Sequence, residues 1–315
     1  MEETQKTIVV ALGGNALQRS GETSVKDQQA VARETARQLV SLALAGHKLV
    51  IVHGNGPQVG NIFLHEQALN TPETPASPLD TCVAMSQGEI GYWLQQGLQN
   101  ELLAAKSDRS VASVVTQVVV DQNDTAFQNP SKPVGPFYVD ETAARTAVGD
   151  DAAVKEDAGR GWRRVVPSPL PLDIVERKFI QNSLAAGDIV IAAGGGGVPV
   201  VQQPGGLVGI EGVIDKDRTA AKMAELISAD TLLILTTVDA VTINYRQPNE
   251  TPLYEVTVVE MQQHVVDGQF APGSMLPKVQ AALEFVQLRE GNRAIITSPQ
   301  KAIEALDGKA GTQLV

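Results

Sequence analysis

The chain has one cysteine, Cys82, in 315 residues, which excludes an intramolecular disulfide and fits a reducing compartment. No apolar run approaches the roughly 18 residues that a membrane-spanning helix requires. The opening MEETQK lacks the basic and apolar regions of a secretory signal. Positive charge is scarce: 36 acidic residues face 25 basic ones, for a net charge of −11. General nucleic-acid binding depends on a basic footprint and is disfavoured. These absences lead us to expect a soluble, cytoplasmic protein with neither a membrane nor a nucleic-acid partner. An anionic ligand must then be held by individual lysines and backbone N–H groups.

Ligand motifs are missing too. No GxxxxGK[ST] is present, so a P-loop is unsupported, and no loop reads GxGxxG, because GNGPQVG places its last glycine one residue too late. His47, His53, His65 and His264 are scattered, with no His/Cys/Asp cluster at metal-ligand spacing. His53, at a strand end, reads as structural rather than catalytic.

What is present is an alternation of apolar β-rich runs with amphipathic ones, the pattern of a mostly parallel sheet covered by helices. The length allows one large α/β domain or two smaller ones. Strands are expected at Thr7–Leu12, Lys48–His53, 110–121, 188–193, 231–236 and 293–298, and a hairpin over 198–214. Ala32, Ala36, Leu39 and Ala43 recur four, three and four apart before Gly46, which predicts a helix that stops there. Further helices are expected over 59–69, 82–104, 173–186, 215–227 and from GSMLPK to about residue 289, with a short one before the terminal GTQLV. Between residues 122 and 171 the alternation gives way to Pro, Gly and charge. A structureless loop of that length would be unusual, so we read it as a small inserted subdomain rising from the sheet edge.

Three strands end in glycine-bearing loops: ALGGN, HGNGPQVG and AAGGGGVP. Glycine clusters serve either as tight turns or as places where a ligand touches the backbone. In open α/β sheets the ligand crevice lies beyond the carboxyl ends of the strands. Three such loops meeting there favour a phosphate cradle made of backbone N–H groups and helix N-termini.

In order along nearly the whole chain, ALGGNAL, HGNGPQVG, AMSQGEIGYWL, NPSKPVGPFY, EDAGRGWRRVVPSP, GGGGVPV, GVIDKD and GSMLPK resemble the motifs of the carbamate kinases, within the amino acid kinase family. The resemblance implies an α/β fold, an open αβα sandwich on a mostly parallel sheet with a small protruding subdomain, and a homodimer. It implies reversible phosphoryl transfer, ATP + carbamate = ADP + carbamoyl phosphate, running physiologically toward ATP at the end of arginine or agmatine catabolism. Residues 1–230 would form mainly the acceptor half and 231–315 mainly the nucleotide half. Mg²⁺ would arrive with ATP or ADP rather than in a protein cage.

Phosphoryl transfer depends on positioning and on neutralising charge on the moving group, which lysines and backbone amides supply. Many amino acid kinases carry a lysine before the first glycine pair, but Ala11 stands there. Lys132 is the natural substitute. As a surface lysine it could simply be solvated, although Pro130 and Pro133 around Ser131-Lys132 suggest a presented residue. It matches the lysine that carbamate kinases bring from the protruding subdomain.

Lys216, between Asp215 and Asp217 at a helix start, reads either as part of ordinary aspartate capping or as a contact to the transferring phosphoryl. The resemblance makes Asp217 the residue that orients the lysines and Asp215 part of the nucleotide site. Lys278 lies in the first turn of a helix, where the dipole opposes a cation, and it matches the lysine reaching the terminal phosphates.

Gly13, Gly14, Asn15, Gly54, Asn55 and Gly56 would line the carbamate and phosphoryl site, with Gly195 and Gly196 completing the cradle and Ser86 and Gln87 as secondary candidates. The nucleotide would lie over Thr236, Val238, Asp239 and Val241, near Tyr245, and against Gly273, Ser274 and Met275. The chain departs from many relatives at Thr237 and Leu276. Trp162, among Arg160, Arg163 and Arg164, reads as an anchor at the subdomain base. Two alternatives remain at this level: a kinase for another small carboxylate-like acid, or a nucleotide-binding regulator without turnover, which would not need Lys132, Lys216, Asp217 and Lys278 together.

Overall fold

In β1 (Thr7–Leu12), Val9 and Ala11 join one apolar layer and Ile8, Val10 and Leu12 the other, so the strand is covered on both sides. That is the environment of a parallel strand between helices. The computed structural model describes residues 5–13, 24–149, 152–157 and 159–315. It places β1 inside an eight-stranded sheet. The spatial order is β15 (Glu255–Val256), β17 (Thr312–Leu314), β16 (Arg293–Thr297), β12 (Thr231–Leu235), β1, β2 (Lys48–His53), β9 (Ile189–Ile191) and β3 (Val111–Ser113). Every pairing is parallel except that of β16 with β17.

Helices α1 (Val25–Leu44), α3 (Leu79–Ala104) and α9 (Ala302–Leu306) close one face, through Ala32 and Leu39, Ile90 and Leu94, and Ala302 and Ala305. Helices α5 (Arg177–Ala186), α6 (Lys216–Leu226), α7 (Val258–Val266) and α8 (Met275–Gln287) close the other, through Ile180, Met223, Met261 and Phe285. The result is a three-layered αβα sandwich. The 3.6-residue period behind α1 is realised: Ala32, Ala36, Leu39 and Ala43 are buried, and Ser24 caps the helix by accepting from the Asp27 N–H.

Beside the sandwich, a second sheet runs β11 (Gly206–Gly209), β10 (Val198–Gln203), β4 (Gln117–Val119), β8 (Asp173–Ile174). The segment after β4 forms a three-stranded sheet, β5 (Lys132–Tyr138), β7 (Trp162–Val166), β6 (Val154–Glu156), with α4 (Glu141–Val148) against it. Helix α2 (Gly56–Ala68) lies between this sheet and α3. The strands β13 (Val241–Ile243) and β14 (Thr251–Leu253) make a hairpin of their own.

The structure corrects the sequence expectations in several places. The span 110–121 is not one strand. β3 joins the main sheet and β4 the second, because Gln87 bonds the Thr116 N–H and carbonyl and fixes a turn between them. The helix expected from 173 starts at Arg177, since Asp173–Ile174 pairs antiparallel with β4. Helix α7 and the β13–β14 hairpin went unassigned. For α7 a signal existed: Thr257 and Glu260 form a reciprocal capping box.

Candidate active site

The chain reverses its direction of travel across the sheet at β1, which has β2 on one side and the much later β12 on the other. Such a switch point opens a crevice beyond the carboxyl ends of the strands. Here Leu12 stands level with His53 and Leu235. The Gly13 N–H donates to the Leu235 carbonyl at 2.9 Å and the Gly54 N–H to that of Leu12 at 3.2 Å, so both glycines extend the sheet edge; Gly54 lines the cleft, while Gly13 is buried and off its wall.

A cleft of about 200 Å³ occupies this place. Gly54, Asn55, Gly56 and Pro57 bound it at the start of α2, Lys132 and Pro133 from β5, and Gly195 from the glycine turn. Residues 213–217 and then Gly273, Ser274, Pro277 and Lys278 complete it. Asn55 precedes α2 without capping it. Its amide is turned to donate to Ser86 Oγ at 2.8 Å, so its side chain makes no capping bond to the first N–H groups of α2.

The three lysines converge. Lys132 Nζ lies 2.5 Å from Asp215 Oδ2, Lys216 Nζ 2.5 Å from Asp217 Oδ1, and Lys278 Nζ 3.2 Å from Asp217 Oδ2. Asp217 is 3% exposed and Lys216 9%. Three cations against two carboxylates leave one surplus positive charge on the wall of the cleft. Asp215 also caps α6, accepting from the Asp217 and Arg218 N–H groups.

Burial pulls the Lys216 pKa below the ordinary lysine value; the Asp217 carboxylate opposes this and the nearby Lys278 adds to it. Burial alone would raise Asp215, but Lys132, and then Lys216 and Lys278, hold it well below the usual carboxylate range. His53 sits under the glycine turn and lies 2.9 Å from the Gly54 carbonyl through Nδ1. Its burial lowers the pKa to about 4, so the ring is neutral near pH 7 and donates from Nδ1.

The four glycines at 194–197 form a tight turn, and one of them borders the cleft. The chain reverses through left-handed backbone at Ala193 and at Gly195, Gly196 and Gly197, with φ of 68°, 94° and 87° at the three glycines. At each glycine a side chain would collide with a neighbour: His53 at 194, the Asn55 amide at 195, the Ile214 carbonyl at 196 and Val118 at 197. Gly195 reaches the cleft. Gly196 does not: its N–H donates to the Ala193 carbonyl and its own carbonyl accepts from Thr219 Oγ1.

Other candidates stand away from the cleft wall. Ser86 and Gln87 are fully buried, the first holding Asn55 and the second Thr116. Val241 is in the core, with its N–H donated to Thr312 Oγ1, so its side chain has no surface for a ligand. Thr236 and Val238 are half-buried and Asp239 exposed, all beyond the end of β12. Tyr245 is exposed beside Arg246. Met275 packs on the core below Gly273 and Ser274. Gly14 and Asn15 lie outside the described residues. The apolar wall made by Pro57, Pro133, Ile214 and Pro277 was missed, although two of these prolines adjoin the lysines in sequence.

The sequence profile of the amino acid kinase family matches residues 6–298. The chain belongs to the amino acid kinase family. Within the family, "Carbamate kinase 1" of Enterococcus faecium is 52% identical over 311 residues, covering 98% of this chain and 97% of that one. "Carbamate kinase" of Pyrococcus furiosus is 50% identical over 312 residues, covering 98% and 99%. Among solved structures, carbamate kinase from Giardia lamblia bound to AMP-PNP superimposes with a TM-score of 0.90 at 42% identity, covering 100% of this chain and 99% of that one.

Proposed function

We propose that this chain is a carbamate kinase, a phosphotransferase that interconverts ATP and carbamate with ADP and carbamoyl phosphate. The observation that carries the reading is the junction of Lys132, Lys216 and Lys278 around Asp215 and Asp217, at the rim where Gly54–Asn55 and Gly195 meet. In the ATP-forming direction, an oxygen of the ADP β-phosphate attacks the phosphorus of carbamoyl phosphate. The bond from phosphorus to the carbamate oxygen breaks and carbamate leaves. Lys216 and Lys278 stand where negative charge on the transferring group accumulates, and Lys132 covers it from β5. Amides at the start of α2 and at Gly195 supply neutral donors.

A cleft of about 200 Å³ is below the roughly 300–1,000 Å³ typical of drug-sized ligand sites. It suits carbamate and the moving phosphoryl, with the nucleotide extending outward past Ser274 and across residues 236–239 toward Tyr245. Residues 231–315 thus supply the nucleotide half. Both carboxylates on the wall, Asp215 and Asp217, are engaged by lysines, and among the described residues no group of three His, Cys, Asp or Glu side chains is placed to hold a metal. Mg²⁺ would therefore arrive on the nucleotide phosphates, where it screens their charge. A homodimer fits the exposed edge of the main sheet, where Tyr92 and Val115 are 55% and 53% exposed beside β3. Among the described residues no helix is long and apolar enough to cross a membrane.

The test is a coupled assay of purified protein with ADP, carbamoyl phosphate and Mg²⁺. ATP formation is expected, and Lys216→Ala is expected to abolish it while the circular dichroism spectrum stays the same. Well-folded wild type without turnover would sink the reading.

A further inference from the structure

Lys132 reaches the cleft from a sheet that is not part of the sandwich, so something must fix that sheet in place. We propose that Gly60 is a positioning residue for catalysis, setting the height of β5 above α2 and through it the place of the Lys132 ammonium. This rests on the kinase reading given above.

Gly60 is buried in the second turn of α2, and an added Cβ there would fall inside the backbone of Gly135 in β5. The obstacle is main chain, so no side-chain rotation relieves it. A methyl group at position 60 must lift β5 or shift α2. The approach is asymmetric: a Cβ on Gly135 would stand 3.8 Å from the Gly60 Cα, an ordinary contact, although φ of +75° strains any substitution there.

Around this point the contact is apolar and tight. Val59 of α2 packs in one cluster with Val134 and Val166, and the Arg164 guanidinium lies over the Phe63 ring at 4.1 Å. Arg163, in the paired strand β7, donates to the Gly135 carbonyl from Nη2 at 2.7 Å and from Nε at 3.1 Å, which ties β5 to that strand at this point. Lys132 begins β5, three residues before Gly135, and Asn55 and Gly56 begin α2, four to five residues before Gly60. One rigid contact therefore holds two walls of the cleft at a fixed separation. A displacement near 1 Å at a reacting centre can lower rate by about 10²-fold.

The experiment is a double-mutant cycle of Gly60→Ala with Lys132→Ala, read by kcat and by KM for ADP, together with a crystal structure of Gly60→Ala. Expected are a kcat lowered by about 10- to 100-fold, KM for ADP within about two-fold, and no further loss when Gly60→Ala is added to Lys132→Ala, because the residue acts through that lysine. The crystal structure should show Lys132 drawn away from Asp215. Normal kcat, losses that multiply in the double variant, or an unmoved Lys132 would overturn the proposal. If Gly60→Ala does not fold, Phe63→Leu takes its place in the cycle. That change removes the Arg164 stacking without a clash, and a loss of about 3- to 10-fold seen only when Lys132 is present is expected. Equal losses with and without Lys132 would overturn the idea. Wild type without turnover would defeat the kinase reading instead, and the position of Lys132 in the crystal would still decide this one.

Discussion

Replacing Asp217 by asparagine keeps the shape of the side chain and deletes the charge that two ammonium groups share. Asp217 is 3% exposed, 2.5 Å from Lys216 Nζ and 3.2 Å from Lys278 Nζ. At an effective dielectric of about 20, a pair 3.2 Å apart attracts with about 5 kcal/mol. Much of this offsets the desolvation of the ions, and breaking a buried pair from one side costs about 3–5 kcal/mol. Asp217→Asn should thus lose about 3 kcal/mol of unfolding free energy, read as a lower urea midpoint. It should also lower kcat by about 10²- to 10³-fold, the scale of removing one electrostatic stabiliser.

A second signature separates orientation from plain instability. Asp217 is the main group that holds the Lys216 pKa up against burial and against Lys278. Without it the ammonium deprotonates at lower pH, so the alkaline limb of the kcat profile should move toward neutrality. A stably folded Asp217→Asn enzyme with kcat and alkaline limb within about two-fold of wild type would refute the assignment of Asp217 as the lysines' anchor.

Two further outcomes follow from the same structure. His53 has a folded pKa of about 4 against 6.5 when free, so the unfolded chain binds the proton first as pH falls. Stability is intact above pH 6.5 and declines below it, by about 2 kcal/mol at pH 5 from this group alone. Urea midpoints at pH 7 and 5 should differ less in His53→Asn than in wild type, and an equal difference would remove His53 from the account. At Gly196, φ is 94° and a methyl group would strike the Ile214 carbonyl. Gly196→Ala should cost about 3–5 kcal/mol, against about 1–2 for Gly205→Ala, where backbone strain acts in open space. Equal melting temperatures for the two variants would show that the turn yields.

The sandwich was legible because its strands are short continuous apolar runs and its first helix keeps a clean 3.6-residue spacing. Those are local signals that tertiary structure only has to use. The span 110–121 misled for the opposite reason. Its composition is strand-like throughout, and the break is imposed by Gln87, a residue of another helix. The lysines were each visible, but their meeting was not. Lys132, Lys216 and Lys278 sit on three elements far apart in the chain, and only the resemblance brought them together beforehand. Val241 shows the limit of carrying a loop over whole: none of the stretch 236–241 after β12 lines the cleft, and this position within it turns into the core. The Gly60–Gly135 approach had no sequence signal beyond two glycines among 28.

The start of α6 explains how so few residues organise the cleft. Asp215 is the extended N-cap of α6 and Lys216 and Asp217 are its first two helical residues, so the three side chains make different contacts. Asp215 meets Lys132 from the inserted sheet, Lys216 turns into the buried wall beneath Gly54, and Asp217 meets Lys278 from α8. Three consecutive residues thereby fix the positions of cations from both halves of the chain, and the helix that carries them is capped by one of the three. The arrangement is made during folding, when burial and repulsion among the ammonium groups are offset by the two carboxylates. On the proposed kinase reading, an incoming phosphoryl group would meet charges already in place and largely buried, which is the condition under which electrostatic stabilisation costs little reorganisation. The chain's overall charge of −11 gives such a group no general attraction, so on that reading the local surplus of one positive charge, with the backbone N–H groups beside it, would have to bind it.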